Sequence, residues 1–291
     1  MPRTVEEGFR DFLPKLTASD SETTSAKSHR ESIESRLNTD FGLYRLFRIG
    51  SFGNGTSISG YSDVDYLASL KENFYSPSSN YSLSKVKDSL AARFWNTDVR
   101  VSCPAVVVPF GTSRSECHEI VPGDYVEKTS NGFSVYKISN CADGWMKVSP
   151  EAHIHYVNEV HKNLANKVKP LIRFIKAWKC FRDVPISSFY LEMRVAKYAT
   201  TEKSIIYDLD VQRVLKLLWD NQLAAIQDPM GVSGYISACK TEAMRKDALS
   251  KLETAYTRAS NAFDEKMKGN ISKAFDWWRL VYNYEFPTYY Y

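Results

Sequence analysis

IGSFGNGTSISGYSDVDYLASL, residues Ile49 to Leu70, is the least ordinary segment of the chain. Its first fourteen residues hold four glycines and four serines, and two aspartates, Asp63 and Asp65, follow one residue apart. GLYRLFRIG (42–50) reads as a strand entering a glycine loop, and SDVDYLASL as a strand leaving it. Alternate residues of a strand face the same side, so Asp63 and Asp65 project together while Val64 turns to the core. Two carboxylates this close repel each other unless a cation sits between them. Oxygen ligands suit Mg²⁺, which takes one or two carboxylates and completes its shell with water and substrate phosphates. The backbone N–H groups of a Gly/Ser loop approach phosphate oxygens without an obstructing Cβ. A phosphate cradle followed by a metal pair is the hardware of phosphoryl transfer with two metals.

A lone D-x-D reads better as two solvated aspartates after a hairpin, so a third acid matters. Glu119, in CHEIVPG (117–123), lies between apolar neighbours on a predicted strand, where an unpaired acid is costly. Asp98, in NTDVRV, is a rival at a strand entrance, where turn chemistry accounts for it.

The remaining composition is that of a soluble globular protein: 291 residues, 43% hydrophobic and 25% charged, long enough for one large domain or two lobes. The 18 Tyr, 15 Phe and 6 Trp are core material. A net charge of +4 argues against a dedicated nucleic-acid coat. The five cysteines form no C-x-x-C pair and read as reduced thiols in a cytoplasmic protein. Neither Cys117-His118 nor His153 with His155 fits a standard zinc spacing. The N-terminus lacks a signal-peptide apolar core, and no run reaches membrane-spanning length, so no membrane partner is expected.

Phe9, Phe12, Leu13 and Leu16 recur at helical spacing, and Pro14 with TASDSETTS interrupts them before a second, polar helix to Leu37. VRVSCPAVVVPF (99–110) and CHEIVPG are the next strands, and KENFYSPSSNYSLSK is a loop by composition. Beyond Pro150 the chain turns helical. Apolar positions step by three and four from Val157 to Trp178, with a kink or fresh start expected at Pro170. A long helix ending near Gly269 and a last one stopped by Pro287 follow. The expected fold class is α+β. A catalytic lobe with a central mixed sheet spans 1–150, a helical lobe spans 151–291, and the active site lies in the cleft between them.

The form G-S-x-x-x-G-T-x-I-x-G-x-S-D-V-D resembles the DNA polymerase beta-like nucleotidyltransferase superfamily. Within it the segment is similar to the bacterial cGAS/DncV-like nucleotidyltransferases (CD-NTases), relatives of oligoadenylate synthase. EIVP resembles the family's third-acid strand, DGWMKVSPEAH the Trp…Pro segment after it, VKPLIRFIKAW with SSFYLE the helix pair that closes over the triphosphate, and AFDWWRLVYNYEFP the last helix. The resemblance runs in order from about residue 45 to 287. Glu119 departs from it, since many superfamily members carry Asp there.

The resemblance implies a pyrophosphate-releasing synthase that makes a cyclic di- or trinucleotide second messenger from NTPs in anti-phage (CBASS) defence. Asp63, Asp65 and Glu119 would hold two Mg²⁺ ions, with Mn²⁺ substituting, and Gly50 and Ser51 would hold the phosphates. It singles out Lys176 as a phosphate contact and Ser188 as a hydroxyl donor to the triphosphate. From the residues alone, Lys176 reads as one cation on a solvated face with Lys169 and Arg173, and Ser188 reads equally as a helix cap. The expected partners are NTPs, an effector reached through the diffusible product and no obligatory nucleic acid; a protein activator is left open. The alternatives are an RNA-tailing or protein-nucleotidylating transferase, or an inactive nucleotide- or RNA-binding module of the same fold.

Overall fold

Alternation along one strand sets the architecture. The computed structural model describes residues 2–17, 20–61, 63–71, 74–110 and 116–290. Ser62 of the glycine-rich motif, Ala18 and Ser19 of the expected interruption, and Glu72 and Asn73 of the expected loop lie outside them. Strand β1 (Leu43–Arg48) runs antiparallel to β2 (Val64–Leu70). In β2 the even residues Val64, Tyr66, Ala68 and Leu70 are buried against one layer of helices. Leu67 faces the other side of the sheet, toward Val121, Tyr136 and Ile138.

The helices on the first face are α2 (Asp20–Phe41), through Ile33 and Leu37, and α4 (Ser79–Arg93), through Leu83, Val86 and Leu90. Helix α4 corrects the expectation of a loop over 71–85. Ser78 accepts a hydrogen bond from the Tyr81 N–H and caps it, and its apolar residues recur every three or four positions despite the serine-rich composition. A second correction concerns the glycine segment. Gly50–Gly53 forms a single helical turn, α3, rather than open loop.

Strands β3 (Arg100–Ser102), β4 (Ala105–Phe110), β5 (Glu116–Lys128), β6 (Ser134–Ser139) and β7 (Trp145–Val148) complete a seven-stranded mixed sheet. Its main path is β1-β2-β5-β4-β3, and β6 joins the far half of β5 and carries β7. β2 and β5 are parallel, and the other pairs are antiparallel. The turn between β3 and β4 meets the one between β6 and β7, where Cys103 and Cys141 form a disulfide with a Cα–Cα distance of 5.6 Å. This corrects the expectation of five reduced thiols; Cys117, Cys180 and Cys239 are free.

The chain then becomes helical: α5 (Pro150–Asn163), α6 (Val168–Phe181), α7 (Ser188–Ala199), α8 (Tyr207–Asp220), α9 (Glu242–Met267) and α10 (Ile271–Val281). Pro170 lies in the first turn of α6, so it marks a fresh start rather than a kink. A small hairpin, β8 (Ile226–Gln227) with β9 (Tyr235–Ile236), interrupts the helices. Among the described residues no helix is long and apolar enough to cross a membrane.

Helix α1 (Val5–Leu16) opens with a capping box, in which Thr4 accepts from the Glu7 N–H and the Glu7 carboxylate accepts from the Thr4 N–H. Its apolar face joins the core of the later helices. The Phe9 ring meets Phe174 of α6 and Trp278 of α10 edge-on, each at a centroid distance of 4.9 Å. Phe9→Ala should therefore destabilise the whole helical core by about 3–5 kcal/mol, measured by denaturant unfolding. A change below about 1 kcal/mol would mean that α1 is not integral to that core.

Candidate active site

The parallel register of β2 and β5 sets Asp65 beside Glu119, and Val64 beside His118. Asp63, just before β2, and Asp65 project with Glu119 from the face opposite α2 and α4, into a cleft of about 620 Å³. The carboxyls of Asp65 and Glu119 share a hydrogen bond, and Asp63 interacts with the Cys117 thiol. Burial first, then the negative charges of Glu119, Asp63 and Glu192, push the Asp65 carboxyl well above the usual range. Burial and Asp63 raise Glu119, and partial desolvation at the rim raises Asp63. Asp98 pairs with Arg100 on the surface, so the structure brings Glu119, not Asp98, to the aspartates.

The turn before the acids is shaped by a close approach. Gly50 has φ +55°, and a Cβ there would sit 2.7 Å from Asp65 Cγ, so only glycine fits. The Ile49 N–H donates to the Asp65 carbonyl at 2.9 Å, and the Thr56 N–H to the Ser51 carbonyl at 2.8 Å. Gly50 and Ser51 line the cleft a short reach from the acids.

The opposite wall comes from α6 and α7. Lys176 is 2% exposed, which excludes the solvated-face alternative. Its ammonium donates to Glu192 Oε1 at 2.8 Å. Glu192 also accepts from Thr56 Oγ1 at 2.6 Å and from Asn54 Nδ2 at 2.7 Å. A buried carboxylate thus ties the glycine turn to both helices. Lys169 and Arg173 lie off the cleft; the Arg173 Nε donates to the Ser57 carbonyl at 3.3 Å. Ser188 is the first residue of α7 and lines the cleft, where it accepts from Lys179 Nζ at 2.8 Å. The cap of α7 is its neighbour Ser187, which accepts from the Tyr190 N–H.

Sequence reasoning missed Lys179, Glu192 and a third element, the loop of the β8–β9 hairpin. Asp228 Oδ1 pairs with His153 Nε2 at 2.9 Å, and its carboxylate accepts from the N–H groups of Met230, Val232 and Ser233. Although burial opposes it, the bond and charge of His153 and these amides hold the Asp228 carboxyl well below the usual range. The loop so fixed brings Ser233 and the 75% exposed Tyr235 to the cleft. A D-P-x-G-x-S-G run offers a turn signal, but nothing local names His153 as its partner.

The chemistry of the acids fits a divalent cation. All three donors are hard oxygens, and their mutual repulsion is relieved by positive charge. Among the described residues no group of three or more His, Cys, Asp or Glu side chains is arranged to hold a metal ion.

The family model described as the Second Messenger Oligonucleotide or Dinucleotide Synthetase domain matches residues 3–161. The chain is 24% identical to the cyclic AMP-AMP-AMP synthase of Acinetobacter sp. (strain ATCC 27244 / 9458), over 98% of this chain and 86% of that protein. Its fold matches the E. coli MS115-1 CdnC in complex with HORMA-deltaN, with a TM-score of 0.73, 18% identity and coverage of 97% and 98% of the two chains. It also matches Vibrio cholerae DncV cyclic AMP-GMP synthase in complex with the linear intermediate 5′ pppA(3′,5′)pG, with a TM-score of 0.74, 14% identity and coverage of 95% and 93%.

The raised Asp65 carboxyl has a consequence for stability. A carboxyl raised in the folded state binds its proton more tightly there than in the unfolded chain. Stability is therefore highest below the usual carboxylate range and declines as pH rises through it to the raised value. Asp65→Asn removes that decline. In metal-free buffer its Tm should exceed wild type at pH 7, and the gap should close toward about pH 4. Equal melting curves at both pH values would refute the crowding of these acids.

Proposed function

This chain belongs to the Second Messenger Oligonucleotide or Dinucleotide Synthetase family, and on that premise we propose that it is a nucleotidyltransferase making a cyclic di- or trinucleotide from NTPs. The observation that carries the proposal is the set of three carboxyls on one sheet face, aligned by the β2–β5 register beside a turn that only glycine can make. A ribose hydroxyl oxygen of one nucleotide attacks the α-phosphorus of the next. The new P–O bond forms as the bond to pyrophosphate breaks, and a second round joins the ends of the linear product. Asp63, Asp65 and Glu119 would hold two Mg²⁺ ions, or Mn²⁺, whose charge when bound lowers the pKa of the attacking hydroxyl and stabilises the leaving pyrophosphate.

Gly50, Ser51 and Ser188 face the triphosphate, and Lys176 lends its charge from within its pair with Glu192. The acids come from the sheet lobe, built from α2 to β7, and the lysines from a closing helical lobe of 151–291 that α1 joins, so the nucleotide is gripped between them. The apolar wall, including Pro104, Val121 and Ile138, keeps water from competing with the ribose hydroxyl. Cyclisation is supported by the family and by the activity named for the Acinetobacter relative. The complex of CdnC with HORMA-deltaN supports a protein partner here, with an activator as one form it could take, and the net charge of +4 supports activity without nucleic acid. The enzyme acts in the cytoplasm, where its diffusible product reaches an effector of anti-phage defence.

Nuclease-treated protein, incubated with labelled NTPs and Mg²⁺ or Mn²⁺, should yield a phosphatase-resistant product identifiable by mass spectrometry. Asp63→Ala and Asp65→Ala should each abolish it, and Glu119→Gln should slow it about 100-fold or more. Near wild-type turnover by Asp65→Ala would sink the metal assignment. Turnover that appears only with added RNA or DNA would make the protein a nucleic-acid sensor instead.

A further inference from the structure

The Cys103–Cys141 disulfide stands where thiols can reach it and where the cleft wall depends on it. Cys141 is exposed and Cys103 half-buried. A reducing compartment, as proposed above, holds such a bond only conditionally, and exposed disulfides are the ones that open and close in function. Cys103 follows β3, a three-residue edge strand with every side chain exposed. The next residue, Pro104, lines the cleft with Val121 and Ile138. Ala105 packs in the cluster that holds Val121, two residues along β5 from Glu119. The β6–β7 turn that carries Cys141 has anchors of its own. Asp143 accepts from the Ser78 hydroxyl at 2.6 Å and from the Asn80 N–H at 3.0 Å, at the head of α4. The Trp145 Nε1–H donates to the Ser76 carbonyl at 3.1 Å. The two sides of the bond are therefore unequal. Once it is cut, the β6–β7 turn keeps its anchors, while the β3–β4 turn hangs on a short edge strand.

We propose that Cys103–Cys141 is a site of reversible thiol–disulfide exchange with a dithiol partner, and that its opening frees Pro104 from the cleft wall. The effect on turnover rests on the nucleotidyl-transfer reading of this cleft; the exchange site does not. A thiolate of the partner attacks the exposed Cys141 Sγ. An S–S bond forms between the partner and Cys141 as the bond to Cys103 breaks, and the electron pair leaves on Cys103 Sγ. The site is built to receive that charge. Ser139 Oγ lies 3.2 Å from Cys103 Sγ, accepts from the Cys141 N–H at 3.2 Å and stands 2.8 Å from Ser79 Oγ. With the Cys141 N–H and the Ser79 hydroxyl filling its lone pairs, the single Ser139 proton is directed at the Cys103 sulfur, where the thiolate appears. Cys103 then takes a proton from water. The partner's second thiol attacks the partner's first sulfur and expels Cys141, which is protonated in turn. Two electrons and two protons pass from the dithiol to the protein, and the partner departs as a disulfide. A partner that arrives as a disulfide runs the same steps in reverse.

The test uses the purified full chain in mixtures of reduced and oxidised glutathione, quenched with acid and alkylated, with the labelled cysteines mapped by mass spectrometry. Cys103 and Cys141 should gain label together as the mixture becomes more reducing, while circular dichroism shows the chain still folded. The mixed disulfide trapped on the way should carry glutathione on Cys141. Hydrogen exchange should quicken on reduction in the β3–β4 turn and stay unchanged in the β6–β7 turn. Dithiothreitol added to the disulfide form should slow product formation from NTPs and Mg²⁺ about 10-fold. The double variant Cys103→Ser, Cys141→Ser should turn over at that slower rate with or without dithiothreitol. The proposal is overturned if the pair fails to form in oxidised glutathione, if it opens only when the chain unfolds, or if glutathione settles on Cys103. It is equally overturned if exchange quickens in the β6–β7 turn instead, if the two redox forms turn over alike, or if the double variant still responds to dithiothreitol. The expected labelling and exchange with no product in either form would refute the proposed reaction and leave the exchange site standing.

Discussion

The cleft depends on one constraint, the parallel pairing of β2 with β5. Strand alternation alone puts Asp63 and Asp65 on a common face, but it says nothing about where a third acid must come from. The register that sets Asp65 opposite Glu119 supplies it. A slip of one residue would put His118 opposite Asp65 and turn Glu119 into the helix-covered face, where Tyr66 and Ile120 pack. The hydrophobic layer beneath α2 and α4 thus does more than stabilise the sheet. It penalises the one-residue slips that would turn Glu119 away from the aspartates.

A second coupling runs through Glu192. Buried ion pairs add little net stability in most proteins, because desolvation offsets attraction. This one is retained where three separate pieces of chain must be held in fixed relation: the glycine turn, α6 and α7. Its two charges also act on Asp65, Glu192 raising that carboxyl and Lys176 lowering it. The pair therefore acts on both walls of the cleft at once.

Much of the site could be read from the sequence, and the losses share a cause. Asp63 and Asp65 were legible because their relation is local, one period of a strand. Glu119 was legible because a carboxylate between apolar strand residues is costly and so needs a reason. The fate of Lys176 was not legible. Helical spacing put it on a charged stripe with Lys169 and Arg173, but its partner lies 16 residues away on the next helix. The same holds for His153 with Asp228 across 75 residues and for Cys103 with Cys141 across 38. Helix α4 was lost for a different reason, since serine-rich composition outweighed a weak apolar period. Ser188 and Ser187 show the finest limit: adjacent identical residues differ in role by a single step of helix start.

The docking of α1 bears on how the molecule is born. The Phe9 and Phe12 side chains find their partners on α6 and on the segment from Trp278 to Phe286, and the Tyr290 N–H donates to the Pro2 carbonyl at 3.1 Å. Helix α1 leaves the ribosome before any other described helix, and α10 after all of them. The sheet and its two covering helices can assemble while synthesis continues, whereas the aromatic face of α1 is covered first by α6 and completed only by α10 and the residues after it. The helical half of such a protein closes late, and in the interval a chaperone has an apolar helix face to hold.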